Sequence, residues 1–581
     1  AIRWGSWQDK RLNLGGCHPR ATQSKPLCAL GGPRWRFGSH RPRIIAPVMH
    51  RRHFLRSLGP WAAALAWQQW SADFAQAQAQ AITPSSWVAP PGTFALGVAS
   101  GEPRPDGAVL WTRLAPQPLQ ADGGMPAHRV PVRWFVAADE ACQQVLQQGT
   151  AVADPVLAHA VHVQLAGLPP DRHFYFRFEA GGQLSPVGRS RTAPDPQSHP
   201  RSLRLALASC QHYEQGAFAV HREIAQADLD FVLFVGDYIY ETEVPHFIRR
   251  RPHPHVFPPR AEDFTLADYR LHHASYKLDV DLRACHAAHP WLLVWDDHEV
   301  INGYSGDQVD DMEDAKRFLQ VRAAAYRAYF EHMPLSPAKL PRGPSMRMQD
   351  RFEWGQLAEL WLVDGRQFRD APSCGGWHEL MHGNAIWDCP ALDAPARTML
   401  GVEQEAWLAS GLAGSSRVWK LIAQPTQMAP GSIPSPMGPL RYTDGWDAFP
   451  AARERLMAAI AQPRVQDVVV LGGDVHRHVA ARLRLNPADR HSPVVASEFV
   501  STSITSKGLS EWLNSLIRRC NPDLLHMRSD ERGYALIAMD ATQLRCTFRA
   551  TRHPVAPGAT LHTQAEFVVD RGVPGPRRVP D

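Results

Sequence analysis

Four apolar runs in this chain end in the same way. Leu203, Leu205 and Leu207 of "LRLALASCQHY" lead into Ser209, Cys210 and Gln211, and Phe231 to Val235 of "FVLFVGDYIYE" lead into Gly236 and Asp237. Leu292, Leu293 and Val294 of "PWLLVWDDHEVINGY" lead into Asp296, Asp297 and His298, and "VVVLGGDVHRH" closes on Asp474, His476 and His478. A short aliphatic run bounded by turn residues is the pattern of a strand buried on both faces. In α/β sheets the loops that follow such strands gather at one edge, so ligands distant in sequence meet in one crevice. Taken singly, each ending is ordinary turn chemistry. Four with one grammar predict an α/β domain whose sheet edge carries carboxylates, imidazoles and a thiol.

At 581 residues the chain exceeds one ordinary core, which predicts two domains with appendages. Its hydrophobic fraction of 44% and charged fraction of 20% are those of a globular protein. No apolar run approaches the roughly 20 residues of a membrane-spanning helix. The first methionine is Met49, and residues 1–48 are basic and aperiodic, which reads as an upstream artefact or a disordered arm. Residues 49–80 begin "MHRRHFLRSLGPWAAALAW", pair Arg51 and Arg52 ahead of an alanine-rich stretch, and resemble a twin-arginine export signal. The twin-arginine machinery is therefore an expected partner, and the periplasm or the exterior the expected location. The formal net charge of +5 is concentrated in this leading segment, so it is no sign of nucleic-acid binding, and no nucleic-acid-binding module is evident. Cys374 and Cys389 flank a glycine-rich loop and suit a disulfide in an oxidising compartment, a pairing that spacing alone does not establish.

Between residues 88 and 195 short alternating strands such as "AVLWTRL" and "VPVRWFVAAD" are split by Gly and Pro, which predicts a small all-β sandwich similar to immunoglobulin or fibronectin modules. After the proline-rich "TAPDPQSHP", buried strands alternate with helical stretches from about 200 to 552. In "AKRFLQVRAAAYRAYFEHM", Phe318, Val321, Ala325 and Tyr329 share one helical face. Residues 553–581 read as a proline-rich tail.

The segments "ASCQHY", "FVGDYIYE", "WDDHEVING", "VDGRQFRD", "LGVEQEAWL", "LGGDVHRH" and "EFVSTSITSKG" resemble, in order, the PhoD-type alkaline phosphatases, a branch of the calcineurin-like metallophosphoesterases. "FALGVASGEPRPDGAVLWTRL" is similar to the amino-terminal domain of that family. The resemblance implies a metallophosphatase β-sandwich flanked by helices and preceded by the all-β module. It further implies that Cys210, Asp237, Tyr240 and His476 hold an Fe(3+) ion, and that Asp237 bridges to one or more Ca(2+) ions reached by Asn302 and Asp474. A trivalent cation suits a thiolate and a phenolate, and calcium prefers oxygen ligands. The implied reaction is attack of metal-activated water on the phosphorus of a phosphate ester. His298 is implied in leaving-group protonation or phosphate binding, and Asp297 either orients it or binds metal. Arg366 either contacts phosphate or forms an ion pair with a neighbouring Asp, and His478 lies beyond the ligands. Arg249, Arg250 and Arg251 either steer anionic substrates or belong to a solvated loop. Where the family commonly carries two asparagines, this chain reads Asn302-Gly303.

Other readings compete. A phosphodiesterase preferring phospholipid-like or teichoic-acid-like diesters uses the same site, and pocket width decides between them. "HELMH" at His378, Glu379 and His382 matches a zinc-peptidase pattern, which needs both histidines on one helical face. Gly375, Gly376 and Gly383 leave little helix for it. A non-enzymatic surface-binding protein leaves the four strand endings unexplained, and a phospholipase D of the His-x-Lys type lacks its motif here.

Overall fold

The computed structural model describes residues 87–580, apart from 259, 310, 311, 313, 372, 375–378, 381–384 and 388. The basic arm and the export signal expected before residue 81 lie outside the described residues, as do His378 and His382.

Alternation of side chains builds the main domain in four layers. On the strands Leu203–Ala208, Phe231–Val235 and Pro290–Val294, one set of side chains (Leu205, Leu207, Leu233, Val235, Leu292, Val294) enters a central core. The set between them (Ala206, Ala208, Val232, Phe234, Trp291, Leu293) enters an outer core under helices. The strands Ala358–Leu362, Trp419–Ala423 and Val468–Gly472 do the same from the facing sheet. Leu360, Leu421 and Leu471 point into the central core, while Trp361, Ile422 and Val470 point to a third cluster. Period two with both faces apolar is why these runs read as continuous hydrophobic blocks. The helix Ala315–His332 covers the first sheet, with Phe318, Val321, Ala325 and Tyr329 buried as the spacing predicts. Val402–Gly414, Pro450–Ile460 and Glu511–Cys520 bury residues in the third cluster, against the other sheet.

Both sheets have a parallel centre. Phe231–Val235 pairs in parallel with Leu203–Ala208 and with Pro290–Val294. Val468–Gly472 lies parallel to Trp419–Ala423 and to Val494–Val500. The ends of the two sheets converge. Gly473 approaches so closely that a Cβ there would lie 2.5 Å from Ser209 Oγ, and one on Gly236, at φ +102°, would lie 2.6 Å from Asp296 Cβ. Ser209 also bridges to Ser503. Glycine at these two positions is a requirement of close approach.

Both ends of the described residues tie into the first sheet. The amino-terminal module has its own core, including Phe94, Leu110, Val132 and Phe176. One of its two sheets also runs on into the main domain, because Val98–Arg104 pairs in parallel with Pro290–Val294 and extends the first sheet to ten strands. The tail is also structural. His562–Asp570 pairs with Gln543–Arg552 and sends Ala565, Phe567 and Val569 into the central core. Their alternation is a strand signal that the flanking prolines masked. Cys374 and Cys389 are joined as a disulfide. Glu379 lies in a two-residue strand paired with Ala385–Ile386, not in the helix that the peptidase pattern needs.

Candidate active site

The strand ends deliver their ligands through strained backbone. Cys210 (φ +60°), Asp237 (+58°), Asp474 (+61°) and His476 (+51°) all adopt the left-handed conformation that side chains other than glycine avoid. Each such residue costs about 1 to 3 kcal/mol and persists where the surrounding structure demands it. Here the demand is convergence: ligand atoms of Cys210, Asp237 and His476 lie within 4.8 Å of one another. Tyr240 joins them, its hydroxyl donating to Asp237 Oδ2 at 2.8 Å and lying 3.2 Å from His476 Nε2. The Ser506 hydroxyl sits 2.8 Å from the Tyr240 oxygen.

His476 is set up as a ligand by its other nitrogen. Nδ1 lies 3.0 Å from the Lys507 carbonyl, which can only accept, so Nδ1 carries the proton and Nε2 turns its lone pair toward Tyr240 and Asp237. Asp237 Oδ1 is buried with no hydrogen-bond partner. Burial, and then neighbouring carboxylates, push Asp237 well above the usual carboxylate range, although His298 opposes the shift. Burial and then Asp237 also raise the Cys210 thiol and the Tyr240 phenol. A buried set of thiol, carboxylate, phenol and imidazole, with an orphaned carboxylate oxygen at its centre, fits a cation of high charge.

Next to this set, ligand atoms of Asp237, Asp297 and His298 form a second group within 4.8 Å. His298 is oriented by Glu241, not by Asp297: its Nδ1 is 2.7 Å from Glu241 Oε2, and Glu241 Oε1 accepts from the Asn302 backbone N–H at 2.8 Å. Asp297 instead accepts from the backbone of His298 at 3.1 Å and of Gly303 at 2.6 Å. Burial alone would depress His298; the carboxylates of Glu241, Asp297 and Asp237 outweigh it and lift the imidazole well above its ordinary value. Asn302 and Asp474 line the same cleft. Asp474 Oδ2 accepts from Thr426 Oγ1 at 2.5 Å, and Tyr442 OH lies 3.3 Å away.

Two candidates leave the cleft. Arg366 is fully buried, and its fork is taken by Asp444 at 2.6 and 2.8 Å, by Asp296, and by Asp297 at 3.4 Å. It therefore braces the carboxylates and does not line the cleft. His478 packs on Phe548 at 4.4 Å, and its Nδ1 accepts from the Thr502 N–H at 3.0 Å, within the core. Arg249 pairs with Glu214 and Glu243, and Arg251 with Asp279, and neither is among the residues that line the cleft.

Sequence reasoning missed Glu241, Ser506, Thr426, Tyr442 and Glu299. The Glu299 carboxylate accepts from the backbone of Asp237 (3.2 Å), Tyr238 (2.7 Å) and Asp296 (2.9 Å), tying two strand-end turns together. Glu241 and Glu299 stand inside the quoted motifs, but nothing in their spacing says what they hold.

Comparison with known proteins gives the family. Residues 205–548 match the model of the PhoD-like phosphatase family, and residues 78–194 match that of the PhoD-like phosphatase N-terminal domain. Alkaline phosphatase D of Bacillus subtilis (strain 168) is 40% identical over 496 residues, spanning 84% of this chain and 82% of that protein. The solved structure of PhoD superposes with a TM-score of 0.79 at 38% identity, covering 86% of this chain and 94% of that one. The chain is an enzyme of the PhoD-like phosphatase family.

Proposed function

We propose that the chain is an exported alkaline phosphatase that hydrolyses phosphate monoesters at an iron and calcium centre built on its strand ends. The convergence of Cys210, Asp237 and His476 within 4.8 Å, on residues that share left-handed backbone, carries this reading. Cys210, Asp237, Tyr240 and His476 would hold Fe(3+), and Asp237, Asn302 and Asp474 would hold Ca(2+). Bound there, the cations supply the positive charge that activates water and offsets the charge developing on the phosphoryl oxygens. The remaining work belongs to side chains. Glu241 holds His298 by Nδ1 and leaves Nε2 for the cleft, where it binds a phosphoryl oxygen or returns a proton to the departing alcohol. Asp297 lines the cleft beside it. Thr426 and Tyr442 fix the Asp474 carboxylate, and Lys507 fixes the His476 tautomer. Export by the twin-arginine machinery suits an enzyme that must fold around its metals first, and it rests on Arg51 and Arg52 of the leading segment.

A second reading, diester hydrolysis, is favoured by one observation: the cleft encloses about 350 Å3, room for more than a phosphate ion. Both are tested by expressing the chain with its export signal, quantifying its metals, and assaying p-nitrophenyl phosphate and its bis-ester at alkaline pH with added calcium. Iron with calcium-dependent release supports the proposal, and the ratio of the two rates decides between monoester and diester. Zinc alone with neither ester turned over overturns it.

A further inference from the structure

The cleft has a half that the metal-type ligands do not use. From Asp237, His298 and Asp474 the cavity runs on to a wall of Ile433, Leu440, Val475, Leu509 and Leu513. Ile433, Val475, Leu509 and Leu513 are the half-buried margin of the third core cluster, so the wall is that core left open on the cleft side. The wall is also fixed in place. Ile433 and Leu440 exchange backbone hydrogen bonds of 2.9 Å in both directions, and Asn521, just past the Glu511–Cys520 helix, donates to the Ser432 carbonyl at 2.9 Å. Gln427, Arg477 and Lys507 also line the cavity, so the aliphatic wall is one stretch of a mixed lining, matched by a ligand that joins a charged group to an apolar chain.

We propose that this wall is a binding subsite for an aliphatic alcohol, so that the preferred substrates are phosphate esters carrying an apolar chain. The inference rests on the phosphatase reading. In hydrolysis a bond forms between phosphorus and a water oxygen, the bond from phosphorus to the ester oxygen breaks, and a proton passes to that oxygen. The phosphoryl group occupies the polar end, and the departing alcohol lies with its chain along Ile433, Leu440 and Leu513. Each methylene laid on such a wall contributes a factor of about three to four to kcat/KM, the equivalent of ~0.8 kcal/mol.

The test uses the full chain with iron and calcium restored and a series of methyl, butyl and hexyl phosphate. The acidity of these alcohols changes little along the series, so chain length is isolated from leaving-group chemistry. Butyl phosphate is expected to exceed methyl phosphate in kcat/KM by at least about tenfold. Leu513→Asn, in the Glu511–Cys520 helix, and Leu440→Asn, in the bridge to Ile433, are each expected to pull that ratio toward one. The ratio is internal to each variant, so a partial loss of folded protein does not mimic the effect. A flat series, or a ratio untouched in both variants, overturns the subsite. Absence of phosphate release from every ester overturns the phosphatase reading, and the subsite with it.

Discussion

Glu241 sets the chemistry of two neighbours at once: one carboxylate oxygen holds His298 Nδ1 and the other holds the backbone of Asn302. Glu241→Gln keeps the size and an acceptor for Asn302 but removes the charge that holds the imidazole. Partners of this kind typically contribute 10- to 100-fold in activity. The variant is therefore expected to lose about that much in kcat while its iron content, measured by elemental analysis, stays at the parent level; undiminished kcat would contradict the role given to Glu241. The residues that end aliphatic runs were legible from sequence because a carboxylate, thiol or imidazole after a buried strand is chemically conspicuous. Glu241 stands in the same motif as Asp237 and Tyr240, but its partner is 57 residues away and only the fold brings them together. Thr426 was illegible for another reason: the run "WKLIAQPT" ends without a metal-type side chain.

At the level of elements, what holds the strand ends in register is a buried ionic lattice and not the strands alone. Arg366, in the turn after Ala358–Leu362 of the second sheet, reaches Asp296 and Asp297 of the first and Asp444 of a loop. Arg369 shares Asp444. The two guanidinium groups outweigh burial and hold Asp444 below the usual carboxylate range. Removing one partner of a buried set leaves the others uncompensated, at a cost of about 3 to 5 kcal/mol. Arg366→Met is expected to lower the unfolding free energy in urea by that amount, and a loss under about 1 kcal/mol would show that the lattice is solvated after all. From sequence, Arg366 read equally well as a phosphate contact or an ion pair, since both need a guanidinium near carboxylates. Only its full burial, with the fork already occupied, separates the two.

For the whole molecule, the amino-terminal module completes the catalytic sheet. Val98–Arg104 covers the edge of Pro290–Val294, and Trp111 Nε1 donates to the Glu331 carbonyl at 3.1 Å. Residues 200–580 expressed alone would expose "PWLLV", an apolar strand, as a free edge, and are expected to aggregate by light scattering; a monodisperse, active fragment would contradict the continuous sheet. Lys339 ties the same interface, 2.9 Å from Glu102 and 3.1 Å from Asp350. For Asp350, burial is outweighed by Lys339 and Arg104, which hold its carboxyl below the usual range, while Glu102 and Asp350 raise Lys339 against its burial. The depressed acid stabilises above its unfolded value of about 4 and loses that as pH falls through its native value; the raised base stabilises below about 10.4 and loses that only above it. Lys339→Met is thus expected to cost a constant increment across that window, shrinking below about pH 4, and a cost that grows on acidification would refute the pairing. The continuity of the two regions was not legible because the proline-rich linker at 193–200 looks like a domain boundary while the pairing it permits is non-local. The proposed metal centre on four strand ends is tested most directly by comparing wild type and His476→Ala for bound iron and for release of p-nitrophenol from p-nitrophenyl phosphate. The variant is expected to stay folded but lose iron together with turnover; retained iron with near-normal turnover would contradict the proposed centre.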